Sequence, residues 1–213
     1  MKIVILGAAG QISRKLTDAL LAQTEHDLVL FGRNLKKRLA VTDSERVRLV
    51  EGGFEDQDAL MGAIEGSDVV YLNAMEDLAH TTAVVDAMKA TGVKRLIGAS
   101  MAGIEKEVPS PLVDWTAAIL PASYIRGEEE SADLVKASDL DYTLLRLTWL
   151  YDEEGSTNYE LVPSGQEFKD AEVSREGVVA AILEILADQS GRFNRATFGV
   201  GEPGTHYPKP SFY

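Results

Sequence analysis

The chain has no cysteine among its 213 residues. That absence excludes disulfides, a thiolate nucleophile and thiolate metal ligation. Histidine is nearly as scarce, and the wide separation of His26, His80 and His206 gives no metal-ligand signature. Positive charge is also in deficit: 21 Lys and Arg stand against 34 Asp and Glu, a formal charge of -13. Such a chain repels a phosphate backbone or an anionic bilayer at long range, so neither nucleic acid nor membrane is an expected partner, although a local basic patch can still hold a small phosphate. Long apolar runs are missing too. The N-terminal run stops after Leu6 and enters Gly and Ala, too short for a signal-peptide core or a membrane span. It reads as a buried first strand, in a protein expected to be cytoplasmic.

An apolar fraction of 45% and a charged fraction of 26% are those of an ordinary globular chain, long enough to bury its own core. A single domain spanning 1–213 is the expectation. The first half alternates short β-rich runs with helical segments, the pattern of a parallel sheet covered on both faces. Strands are expected at 2–7, 27–31, 46–52, 68–73 and 93–99. Between the first two, Ile12, Leu16, Ala19, Leu20 and Gln23 recur at helical spacing. Crossover helices fit 56–65, with Leu60 and Ile64 on one face, and 78–90, with Val84, Val85 and Met88 inward. Beyond Ser100 the prolines at 109, 111 and 121 mark an irregular connection, followed by a helix over 126–137. A sixth strand over 142–150, a capped helix over 174–188 and a last strand over 195–200 complete the pattern. The fold class expected is α/β, a Rossmann-like doubly wound parallel sheet in three layers, with a small C-terminal appendage on the substrate side at 151–173.

"GAAGQIS" follows the first strand directly and opens the first helix. Gly7 suits the strand-to-helix turn, and Gly10 permits a pyrophosphate to approach backbone amides at the helix N-terminus, with Ala9, Gln11 and Ile12 around it. Ser13 stands where a third glycine is common. The second strand ends in "LFGRN", offering Arg33 where NAD sites commonly place a ribose-binding carboxylate; the charge suits the 2′-phosphate of NADP, with Arg14 converging from the first helix. Gly53 and Phe54 are placed beside adenine. Asp56 fits equally a contact to the adenine amine or a helix cap. Asn73, Ala74 and Met75 bring small groups and a thioether to the end of the fourth strand, where the cofactor passes.

Taken in order, "GAAGQIS", "FGRN", "GGFEDQDAL", "VVYLNA", "LIGAS" and "SDLDYTLLR" resemble the atypical short-chain dehydrogenase/reductase superfamily, particularly its small NmrA-like and biliverdin-reductase-B-like NAD(P)-binding members. The resemblance covers essentially the whole chain. It implies NADP as cofactor, with NAD as the alternative, a small-molecule substrate, and the superfamily's catalytic serine at Ser100 and tyrosine at Tyr124. Where a lysine would follow four residues later, this sequence has Glu128, which opposes phenolate formation; Arg126 is a candidate substitute cation. Arg146 is expected to pair with a carboxylate and hold a wall of the site, and Trp115, Trp149 and Tyr151 to shape a flat apolar pocket. The function implied is NADPH-dependent reduction of a small carbonyl, quinone or conjugated compound. The alternative is a non-enzymatic NADP-binding redox sensor, and the missing lysine favours it. An epimerase or dehydratase fits less well, since sugar-nucleotide enzymes of this fold need more C-terminal chain. The tail "GEPGTHYPKPSFY" suits packing on its own chain or along a second copy, which leaves a homodimer open.

Overall fold

The structure is a computed structural model describing residues 1–41 and 44–213. In chain order it runs β1 (Lys2–Leu6), α1 (Gln11–Gln23), β2 (Asp27–Gly32), α2 (Leu35–Arg38), β3 (Val47–Glu51), α3 (Gln57–Ile64), β4 (Val69–Leu72), α4 (Leu78–Thr91) and β5 (Arg95–Met101). There follow α5 (Leu112–Ile119), α6 (Ala122–Ala137), β6 (Asp141–Leu147), β7 (Trp149–Tyr151), β8 (Glu160–Pro163), β9 (Glu172–Ser174), α7 (Arg175–Ala187) and β10 (Ala196–Gly201).

The main sheet has the order β3-β2-β1-β4-β5-β6-β10-β8, parallel throughout except for β8, which runs antiparallel to β10. This is the doubly wound Rossmann-like order, reversing at β1, and it brings the C-terminal ends of β1, β2, β4 and β5 to one edge. The period-two alternation of β1 explains the two covering layers. Ile3 and Ile5 join the core on the side of α1 and α7, while Val4 and Leu6 join the core on the side of α3, α4 and α6. All four are fully buried, and each such side chain contributes about 1.5–3 kcal/mol by leaving water.

Several boundaries differ from the sequence reading for identifiable reasons. The apolar run over 142–150 is two strands: β6 ends at Leu147, and β7 pairs with β9 in a separate two-stranded sheet. Thr148 turns the chain between them, donating its hydroxyl to the Asp170 carbonyl at 3.0 Å. The stretch 151–173 carries β8, the edge strand of the main sheet, and most of β9. The connection after Ser100 contains α5, with Pro111 at its N-cap, and α6 begins at Ala122 behind Pro121, one turn earlier than expected. On α1 the buried face is Ile12, Ser13, Leu16, Thr17 and Leu20, and Gln23 is exposed; Thr17 can be buried because its hydroxyl donates to the Ser13 carbonyl at 2.8 Å. Asp56 caps α3, accepting from the Ala59 amide at 3.1 Å, and Ser174 caps α7 in the same way from Gly177.

Helix α6 lies hard against the start of α4. A Cβ added to Gly127 would stand 1.9 Å from the Glu76 carbonyl oxygen, a backbone atom that cannot move aside cheaply. Gly127→Ala is therefore expected to destabilise the fold by about 1–3 kcal/mol, the usual cost of overpacking, despite alanine's better helix propensity; a urea midpoint equal to or above wild type would contradict this packing. The C-terminal tail packs on its own chain: Ser211 binds the Glu172 carboxylate through its amide at 2.6 Å and its hydroxyl at 2.9 Å. Among the described residues, no helix is long and apolar enough to cross a membrane.

Candidate active site

The site begins where β1 turns into α1. Gly7 adopts φ +76°, a conformation that strains residues with a side chain, and its amide and that of Ala8 both donate to the Phe31 carbonyl, fixing the turn against β2. Gly10 is the N-cap of α1, and no side chain caps the helix. The first-turn amides of Gln11, Ile12 and Ser13 therefore face the crevice without an intrahelical acceptor, at the positive end of a 13-residue helix. Asn73 lies over this turn. Its amide oxygen accepts from buried Tyr71 at 3.2 Å, and its Nδ2 would be 2.4 Å from a Cβ on Gly10. The cradle presents amides without side-chain caps in a space that a side chain at position 10 would fill, an arrangement whose size and polarity suit the pyrophosphate of a dinucleotide.

Around this cradle the other sequence-predicted residues separate into groups. Arg33 follows β2 directly and Arg14 is in the first turn of α1; both are exposed, and among the described residues neither has a polar partner. The short helix α2 adds Lys36, Lys37 and Arg38 beside Arg33, a cationic cluster that "LKKR" announces in the sequence and that was missed there. Phe54 is half-buried, its ring 6.0 Å from Phe31 and 4.9 Å from His80. His80 is a second residue to which the sequence assigned no place in the site; its tilted ring pair with Phe54, 30° apart in plane, was not legible from residues 26 positions apart. Gly53 precedes this pair. Ala9 is buried beneath the turn. Met75 is buried too, its sulfur beside Gly98 of β5, so it backs the site without opening into it.

From the cradle a cavity of about 610 Å³ extends along the ends of β4, β5 and β6. Gln11, Ile12, Asn73 and Ala74 form its near end, Ser100, Tyr124 and Glu128 one side, and Leu112, Leu120, Leu147, Trp149 and Tyr213 its apolar remainder. Trp149 is held by its indole N–H on Thr116 Oγ1 at 3.0 Å and packs edge-on against Trp115 and Tyr213. Trp115 stands behind this wall, and Tyr151 is turned away to Glu202. A larger groove of about 1450 Å³ follows the β10–β8 edge, but none of the catalytic or cofactor-binding residues expected from the sequence lines it.

Ser100, near the end of β5, donates to Glu128 Oε2 at 3.1 Å, and Tyr124, one helical turn before Glu128 on α6, lines the same cavity close enough for the two to perturb each other's titration. Glu128 is 3% exposed. Burial raises its pKa to about 7, the Ser100 hydrogen bond opposes the shift, and the Glu76 charge adds to it. Tyr124 is pushed up to about 12, by burial first and then by the charges of Glu128 and Glu76. The serine and tyrosine expected from the sequence thus line one cavity with the residue that replaces lysine. Arg126 is exposed and lies outside the cavity, so it does not take the lysine's place there; among the described residues, Arg175 is the cation that lines the cavity. Arg146, fully buried on β6, pairs with Glu107 and, at 3.4 Å, with Glu105, fixing the loop after β5 as a wall. Among the described residues no group of His, Cys, Asp and Glu is arranged to hold a metal ion.

Comparison with known proteins agrees with this geometry. The model of a family described as NAD(P)H-binding matches residues 7–189. A short-chain dehydrogenase/reductase from Veillonella parvula, solved in complex with NADP, is 47% identical over 99% of each chain, with a TM-score of 0.97. A Rossmann-fold NAD(P)-binding family protein from Shigella flexneri is 31% identical, covering 100% of this chain and 98% of that one, with a TM-score of 0.80. An uncharacterized sugar epimerase from Bacillus subtilis is 21% identical over 208 residues, 92% of each chain. The chain belongs to the NAD(P)H-binding family, within the atypical short-chain dehydrogenase/reductase superfamily.

Proposed function

We propose that the protein is an NADPH-dependent reductase of a small, flat carbonyl, quinone or conjugated acceptor. The observation that carries this reading is the continuity of the uncapped α1 turn with an apolar cavity whose polar edge is Ser100 and Tyr124. Gly7, Ala9, Gly10, Gln11 and Ile12 hold the pyrophosphate, Arg14 and Arg33 the 2′-phosphate, Gly53 and Phe54 the adenine side, and Asn73 and Ala74 the passage toward the nicotinamide, with Met75 supporting them from below. The NADP complex of the Veillonella parvula protein supports the choice of cofactor. When bound, the dihydronicotinamide supplies a hydride. The chain's own part is to hold the acceptor against the apolar wall and to place hydroxyl donors, Ser100 Oγ and Tyr124 Oη, where negative charge develops on its oxygen. The ribbon β7–β9, with residues 151–173, acts as the substrate-side insertion of a single domain.

The test is NADPH oxidation, followed by absorbance, against a panel of quinones, aldehydes and enones. Turnover of at least one acceptor supports the reading. Tight NADPH binding with none reduced overturns it in favour of a redox-sensing role, the reading that the carboxylate at position 128 favours. Within the enzyme, Tyr213→Ala removes one edge-on ring from the wall. An aromatic contact of this type is worth about 0.5–1.5 kcal/mol, so KM for a quinone should rise by roughly 2- to 10-fold, with kcat and NADPH affinity little changed. An unchanged KM would remove Tyr213 from the acceptor site.

A further inference from the structure

We infer that Glu128, in the place of the missing lysine, is the proton source of the site, passing its proton through Ser100 Oγ to the acceptor oxygen. The inference rests on the reductase reading above and assigns the step that reading leaves open. Reduction of a carbonyl or quinone needs a proton as well as the electron pair that the nicotinamide supplies. Tyr124 alone is a poor donor, since desolvation and the Glu76 charge hold its proton tightly and, among the described residues, no exposed or unpaired cation lines the cavity to stabilise the phenolate.

Glu128 has the geometry for the task. Its carboxyl group is 3.1 Å from Ser100 Oγ, within one proton hop, and both residues line the cavity while remaining almost wholly buried. The close approach of α6 to the Glu76 backbone at Gly127 sets this placement, one residue before the carboxyl group. The groups acting on Glu128 from the packed elements are Ser100 of β5, Tyr124 of α6 and Glu76 ahead of α4: two hydroxyls and a like charge. Arg175 lines the same cavity but is held by Asp152 at 3.0 Å. With no cation among the described residues acting on it, the buried carboxyl holds its proton to near neutrality, the condition for a general acid that must both give and regain a proton in each turnover.

In the step, Ser100 turns its single hydroxyl hydrogen from Glu128 to the acceptor and accepts instead from the protonated Glu128; the Ser100 O–H bond breaks as a new O–H bond forms on the acceptor, and the Glu128 O–H bond breaks to restore the serine hydroxyl. Glu128 is left as carboxylate and is reprotonated from water. Protons balance over the cycle, and the acceptor gains a hydride and a proton while NADPH becomes NADP⁺.

Two measurements test the relay. Carbon-13 NMR of protein labelled at the glutamate carboxyl carbons, with the Glu128 signal assigned by its loss in Glu128→Gln, should show Glu128 titrating near neutrality while the exposed glutamates titrate in the usual range. In turnover, kcat/KM should fall about tenfold per pH unit above that midpoint. Glu128→Gln should lower kcat by about 100-fold and abolish the pH dependence while keeping NADPH affinity, which reports an intact fold. Ser100→Ala should lose kcat similarly while Glu128 still titrates, at a midpoint moved further up because the Ser100 hydrogen bond that opposes the shift is gone, separating relay from scaffold. A Glu128 carboxyl ionised throughout the working pH range, or a Gln variant with wild-type kcat and pH profile, overturns the relay and leaves the reductase reading standing. Failure of the wild type to reduce any acceptor overturns the reductase reading, and the relay with it.

Discussion

Replacing Arg33 by alanine is expected to weaken NADPH binding roughly 10- to 100-fold and to leave NADH binding nearly unchanged. The size follows from hydrogen bonds to a charged phosphate, worth about 1.5–3 kcal/mol, with about 1.4 kcal/mol per tenfold in affinity. Arg33 follows β2 directly, on the sheet edge that carries the α1 turn, and has no partner of its own among the described residues. A chain of charge -13 repels a phosphate from a distance, so recognition must rest on such local cations. The Lys36–Lys37–Arg38 turn follows Arg33 in the chain, and Arg14→Ala, in the first turn of α1, should show a smaller loss of the same kind. Titration by nicotinamide fluorescence at fixed ionic strength separates the cases. An equal loss for both cofactors would mean that Arg33 supports the fold of the turn, and no loss for either would move the 2′-phosphate elsewhere.

How far the sequence carries depends on whether a feature is local. The β1 turn was legible because strand, glycines and helix follow one another within 20 residues, and the steric demand at Gly7 and Gly10 is written in residue type. The break between β6 and β7 was not legible. "YTLLRLTWL" is apolar throughout, and what ends β6 is a bond from Thr148 to Asp170, 22 residues away. Helix α5 was hidden by the prolines around it, although Pro111 at its start is itself a helix-entry signal. Residue type also misled at Glu128. A carboxylate in place of lysine argued against chemistry, and only the packing of α6 shows it buried against Ser100. The one clue was Gly127, a costly residue within a 16-residue helix, which marks a close approach there.

The same burial makes stability run in an unusual direction with pH. The Glu128 carboxyl is raised from 4.5 to about 7 in the folded chain. Between those values the folded protein keeps a proton that the unfolded chain has released, so the contribution is fully present below about 4.5 and is lost as pH rises through 7. At about 1.4 kcal/mol per unit, the loss is on the order of 3 kcal/mol. Asp170, 1% exposed and raised by its own burial and by Glu160, acts in the same sense. Glu105 is shifted the other way, below its usual range, so its contribution is constant across neutral pH. Wild-type protein should therefore melt lower at pH 8 than at pH 6, and Glu128→Gln should remove a part of that drop amounting to several degrees, taking about 2–4 °C per kcal/mol for a chain of this size. Charge repulsion and Asp170 are common to both proteins and cancel in the comparison, leaving the Glu128 contribution. Parallel melting curves across that range would mean that Glu128 is solvated and ionised in the native state, and would remove the physical basis for its retention of a proton.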